Sequence, residues 1–137
     1  MKKMFVFLGT MGLFLTGCSN LKSVDIDKVE IDMTNDKVVE LIGKPDDKIE
    51  EKEELLDEAT TAIKADQYIS DRAGDNSEGV NEDVLNELRT NLEGLKKFKV
   101  YTENGENTYI NEYTYKDNKE SKTAMIYFYQ DKVIAIN

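Results

Sequence analysis

The apolar positions of the chain change their spacing along its length, and each spacing predicts a different element. Met4 to Leu15 is an almost unbroken apolar run. Further on the pattern turns helical: Val38, Leu41 and Ile42 fall at i, i+3 and i+4 and share one face. Thr34 stands before this face as a good N-cap, because its hydroxyl accepts an N–H group that the first turn leaves without a partner. At the far end Gly43 can take a left-handed conformation, and Pro45 forbids continuation. A two-turn helix is therefore expected over Asn35–Ile42, with Met33 stapled back onto Val38 or Val39.

Two more helices are expected between Asp47 and about Lys97. Ile49, Leu55, Leu56, Ala59, Ala62 and Ile63 make one stripe, and Val84, Leu85, Leu88, Leu92 and Leu95 make another, with Asn81 as cap. The polar, glycine-bearing stretch Ser70–Val80 reads as the loop between them. After Leu95 the composition shifts to Val, Ile, Tyr, Phe and Thr, which predicts strands at Phe98–Thr102, Thr108–Lys116, Ser121–Tyr129 and Lys132–Ile136. Short turn signals separate them, so an antiparallel meander is the economical topology. In the strand ending at Tyr129, Ala124, Ile126 and Phe128 point one way and Met125, Tyr127 and Tyr129 the other. The more apolar set is expected to face the helices. The fold class is α+β, with N-terminal helices packed on a small antiparallel meander.

The charge pattern changes this picture little. Asp46, Asp47, Glu50, Glu51, Glu53, Glu54, Asp57 and Glu58 crowd the start of the second helix. They read as a solvated face favoured by the helix dipole rather than as a cation site. Asp71, Ala73, Asp75 and Gly79 do not reproduce a calcium loop, so no metal is expected. The net charge is −10; residues 1–17 carry two lysines and no acid, and without them it is −12. Such a surface repels phosphate backbones, and nucleic acid is not an expected partner.

Lys2 and Lys3 before the Met4–Leu15 run, followed by small residues, form the layout of a secretory signal peptide. About a dozen apolar residues fall short of the roughly 20 that span a bilayer. Leu15, Thr16, Gly17 and Cys18 resemble the lipobox of bacterial lipoproteins. That resemblance implies cleavage before Cys18 and a diacylglyceryl group on its thiol, which adds about 0.8 kcal/mol of membrane affinity per buried methylene. A disulfide, a metal site or a nucleophilic role for Cys18 has no support, since there is no second cysteine and no histidine. The organisation expected is a cleaved signal at 1–17, a lipid-anchored tether at 18–27, and one domain at 28–137 with a helical insertion at about 47–97. The location expected is the extracellular face of the cell membrane. Arg72 and Arg89 are the only arginines among 18 basic residues; this bias, with abundant asparagine, points to an AT-rich genome such as that of a low-GC Gram-positive bacterium.

The stretch from Lys28 to Pro45 resembles the first helix region of the small SmpA/OmlA (BamE-like) lipoproteins, through Met33, Thr34, Val38, Gly43 and Pro45. The segments "YTYKD" and "MIYFYQDKVIAI" resemble that family's last strands. Together these pieces cover about half of the chain after the signal. The resemblance implies a fold like that of the β-lactamase inhibitor protein and a role in protein–protein contact. Two departures stand out: Asp32 where the family has glycine, and the inserted helices. In a Gram-positive host the family's part in outer-membrane assembly would not transfer.

A non-enzymatic, surface-anchored interaction module is the function expected, with the membrane and a protein as partners and no cofactor. The alternatives are a surface ligand-binding or hydrolytic lipoprotein, or a precursor whose signal fragment ending at Gly17 acts as a secreted peptide. No catalytic set stands out: histidine is absent, Cys18 is consumed, and no pair of carboxylates is marked as complementary acid and base. Tyr113, Tyr115, Tyr127 and Tyr129 on the predicted strands are the candidate partner-binding residues, set against the plain reading of tyrosine as half-buried strand packing.

Overall fold

A computed structural model describes residues 24–75, 79 and 81–137. Ile26–Lys28 forms a 3-10 turn, Ile26 packs against the core, and Val29 is buried. Helix α1 spans Asn35–Ile42 as its cap and stop require. The Lys37 N–H donates to the Thr34 hydroxyl at 3.4 Å, and Val38 is fully buried. Gly43 has φ 89° and ψ −174°, a conformation that only glycine takes without strain.

After Pro45 the chain does not enter a helix, as the stripe starting at Ile49 suggested. Asp47–Ile49 is instead a short edge strand, β1, which pairs antiparallel with β2 at Thr108–Asp117. Ile49 stands opposite Ile110, and the Asp46 carboxylate accepts the Thr114 N–H at 2.6 Å. Three residues are too few to show alternation, so the helical spacing from Ile49 to Leu55 was coincidental.

Helix α2 spans Lys52–Asp75 and α3 spans Glu82–Glu103, the latter capped by the Asn81 side chain, which accepts the Asp83 N–H at 3.0 Å. Both run further than their stripes predicted. Phe98–Thr102 is not a strand: Leu95, Phe98 and Thr102 stay on the buried face of α3. The Thr102 hydroxyl donates to the Phe98 carbonyl at 2.9 Å, a bond available in a helix. The helix closes at Gly105, with φ 74°. The Gly105 N–H donates to the Thr102 carbonyl and the Glu106 N–H to the Tyr101 carbonyl, the Schellman arrangement. The asparagine–glycine step thus ends a helix rather than turning a hairpin.

Strands β2, β3 (Glu120–Tyr129) and β4 (Lys132–Ile136) form the expected meander, and the sheet order is β1-β2-β3-β4, all antiparallel. Asn118–Lys119 and Gln130–Asp131 turn the two hairpins with positive φ at both positions, which matches the twist of the strands. The class is α+β.

The face assignment needs correction. Ile110, Tyr127 and Ala135 pack under α2 and α3 against Leu55, Ala59, Ala62, Leu95 and Phe98. Tyr109, Tyr113, Ile126, Phe128 and Val133 pack on the other side against Val29 and Val38. Both faces are covered, the first by the α2–α3 hairpin and the second by α1 and the N-terminal segment. Tyr127 meets Phe98 edge-on, with ring centroids 5.0 Å apart. Alternation separates two sets of side chains, and here both are apolar enough to be buried.

Candidate functional site

The outer edge of β4 brings three parts of the chain together. At its start the residues before α1 run alongside it: the Asp32 N–H donates to the Val133 carbonyl at 2.9 Å, and the Val133 N–H to the Met33 carbonyl at 2.9 Å. At its end the side chain of Asn91, on α3, takes over. Its Oδ1 accepts the Ile136 N–H at 2.8 Å, and its Nδ2 donates to Asp66 Oδ2, on α2, at 2.9 Å. One asparagine therefore ties the sheet edge to both long helices.

Beside this end of β4 lies a cleft of about 1000 Å³, walled by Ile26, Asp27, Val29, Glu30 and Ile31, by Asp66, by the first half of α3 and by Ile136 and Asn137. Its charged lining is one-sided. Asp27, Glu30, Asp66 and Glu87 line it, and among the described residues no lysine or arginine does. Among the described residues none of these carboxylates is in an ion pair. The apolar lining includes Ile31, 40 % exposed, and Val84, 57 % exposed.

Asp66 is the buried one of these carboxylates, at 6 % exposure. It continues the buried stripe of α2 at helical spacing, after Leu55, Ala59 and Ala62. The stripe expected from the sequence ends at Ile63. The sequence signal for Asp66 is a carboxylate one turn later on the same face, where an apolar residue belongs. Nearby, the Tyr127 hydroxyl is fully buried and has no hydrogen-bond partner among the described residues. Burial raises its pKa well above the usual phenol range, and the negative charges of Glu58 and Asp66 add to the rise, while the neighbouring Asn137 side chain opposes it.

The residues expected to form sites fall elsewhere. Leu15, Thr16, Gly17 and Cys18 lie outside the described residues. Met33, Thr34, Val38, Gly43 and Pro45 surround α1 and serve its capping, packing and termination. The four tyrosines do not form one exposed patch. Tyr113 is 1 % exposed, its hydroxyl donating to the Gly43 carbonyl at 3.0 Å, and Tyr127 is closed off entirely. Neither is accessible to a partner, because each face of the sheet has its own cover. Tyr115 and Tyr129 are half-buried and stand on opposite faces. Tyr129 stacks on Tyr101 at 3.9 Å and donates to Glu106 at 2.5 Å.

Among the described residues no group of three or more Cys, Asp or Glu side chains is placed to hold a metal, and no helix is long and apolar enough to cross a membrane. Comparison with protein-family models, curated proteins and solved structures gave no match.

Proposed function

We propose that this chain is a lipid-anchored, non-enzymatic lipoprotein of the extracellular membrane face, whose folded domain binds another protein. The observation that carries the reading is the cleft at the β4 edge: open, partly apolar and lined by acids. Its position fits an anchored module. Cys18 and Ile26 are eight residues apart, so a fully extended tether reaches about 28 Å. A lipid on Cys18 would keep the cleft within that distance of the membrane, while the acidic surface discourages contact with anionic headgroups.

The likeness to the SmpA/OmlA (BamE-like) lipoproteins belongs to the same proposal. Asp32 stands where that family has glycine, and it has φ 71°, the left-handed region that favours glycine. The departure in residue type thus comes with a backbone conformation that suits the family's residue. Thr34, Val38 and Gly43 take the capping, core and stop roles that the likeness implies.

Metabolic labelling with a palmitate analogue tests the anchor. Label is expected on the wild-type chain and lost from Cys18→Ser. Undiminished label on that variant would overturn the proposal.

A further inference from the structure

We propose that the cleft at the β4 edge takes a cationic peptide segment, with a lysine or arginine side chain reaching Asp66 and neighbouring apolar side chains resting on Val84 and Ile31. This rests on the reading of the domain as a protein-binding module and names the chemistry of the partner.

The charge balance of the cleft is the first support. Among the described residues four carboxylates and no cation line it, and none of the four is paired. Asp66 is the costly one. A carboxylate at 6 % exposure is unfavourable unless charge and hydrogen bonds compensate it, and the Asn91 amide supplies one neutral hydrogen bond. Asparagine at this position could also bond to Asn91, so holding β4 does not explain the charge. A cation arriving from outside does.

The second support is the Tyr127 hydroxyl. It does not itself line the cleft, but it is buried without a hydrogen-bond partner among the described residues, near Asn137 and in the field of Asp66. Asp66 and this phenol are thus two neighbouring polar groups incompletely matched among the described residues. The third is the exposed apolar surface at Val84 and Ile31, which a bare metal ion or a hydrophilic polyamine would leave wet. Anionic lipid and nucleic acid are repelled by the same acids that attract a basic segment.

The full chain in phosphatidylcholine discs, with empty discs as control, tests the assignment. The probe is a heptapeptide with two lysines and two leucines in a glycine–serine background, compared with its glutamine and glutamate counterparts and with spermidine. The lysine peptide is expected to bind at least about tenfold more tightly than the other three. Asp66→Asn should remove about tenfold of that affinity while the thermal midpoint stays in place, and Val84→Ser should weaken the lysine and glutamine peptides alike. Should Asp66→Asn fail to fold, Glu87→Gln at the rim should still weaken the lysine peptide alone. If the glutamine peptide binds as tightly as the lysine peptide and Val84→Ser weakens both, the charge assignment is overturned and the protein-binding reading stands. Spermidine binding as tightly as the lysine peptide overturns the peptide in favour of a small polyamine. No binding by any peptide overturns the inference and the protein-binding reading together.

Discussion

Gly94 and Ile134 meet backbone to backbone: a Cβ placed on Gly94 would lie 1.9 Å from the Ile134 carbonyl oxygen. Ile134 is the residue left over where the β3–β4 register shifts, with Phe128 opposite Val133 and Tyr127 opposite Ala135. The bulge is therefore where α3 docks on the sheet, and only glycine lets the helix come that near.

Gly94→Ala should lower stability by more than about 2 kcal/mol. The better helix propensity of alanine, about 1 kcal/mol, offsets only part of the clash. A drop in the urea midpoint with an unchanged slope is the expected result. An unmoved midpoint would mean that α3 can withdraw from β4 at no cost.

Two positions flanking α1 should respond in opposite directions. Gly43 has nothing within 4 Å of its would-be Cβ, so substitution there meets no neighbour and acts through φ 89° alone. Gly43→Ala should cost about 1–3 kcal/mol, and Gly43→Asn should do no better, since ψ −174° lies outside the left-handed helical region that asparagine tolerates. Asp32→Gly, by contrast, should raise stability by about 0.5–1 kcal/mol, read as a higher urea midpoint, through relief of the strain at φ 71°. A destabilised Asp32→Gly would show that the aspartate side chain contributes more than its backbone costs.

Because the sheet is covered on both sides, Phe128→Ala and Tyr127→Ala should be about equally damaging, each by about 3–5 kcal/mol. Tyr129→Ser, at a half-buried position, should cost far less. Thermal unfolding of the three variants decides the matter, and a benign Tyr127→Ala would expose that face as solvated.

What could be read from the sequence here was what is encoded locally. The Thr34 cap, the Gly43 and Pro45 stop and the alternation of β2 to β4 each sit within a few residues and need no tertiary contact to recognise. Phe98–Thr102 was misread because its aromatic and β-branched residues favour strands in isolation. Packing of Leu95, Phe98 and Thr102 in one stripe against the sheet overrides that preference. Which side of a strand is covered is also not local, and Tyr127 and Phe128 alternate equally well under either answer. For the cleft, the visible trace is Asp66 interrupting the α2 stripe; the closeness of Asn91, Asn137 and the N-terminal turn depends on how α3 crosses the sheet edge.

The interior tyrosines give the fold an alkaline limit. Burial first, then hydrogen-bond donation to Asp131 at 2.8 Å and the charge of that carboxylate, hold the Tyr109 pKa well above the ordinary phenol value. For Tyr127 the causes are burial and then the charge of Glu58. In the unfolded chain both release their protons near pH about 10. The folded values are raised, so this contribution to stability is complete below that pH and is lost as the pH climbs from there toward the folded values. Each tyrosine adds a slope of about 1.4 kcal/mol per pH unit in that window. The urea midpoint should thus stay flat through neutral pH and fall steeply above about 10. Tyr127→Phe and Tyr109→Phe should each flatten the fall, and they should differ at neutral pH. Tyr109→Phe loses a hydrogen bond to a carboxylate and should be weaker there, whereas Tyr127→Phe removes a hydroxyl without a partner among the described residues and should hold or gain stability. An alkaline slope unchanged by Tyr127→Phe would show that this phenol already titrates freely in the folded chain.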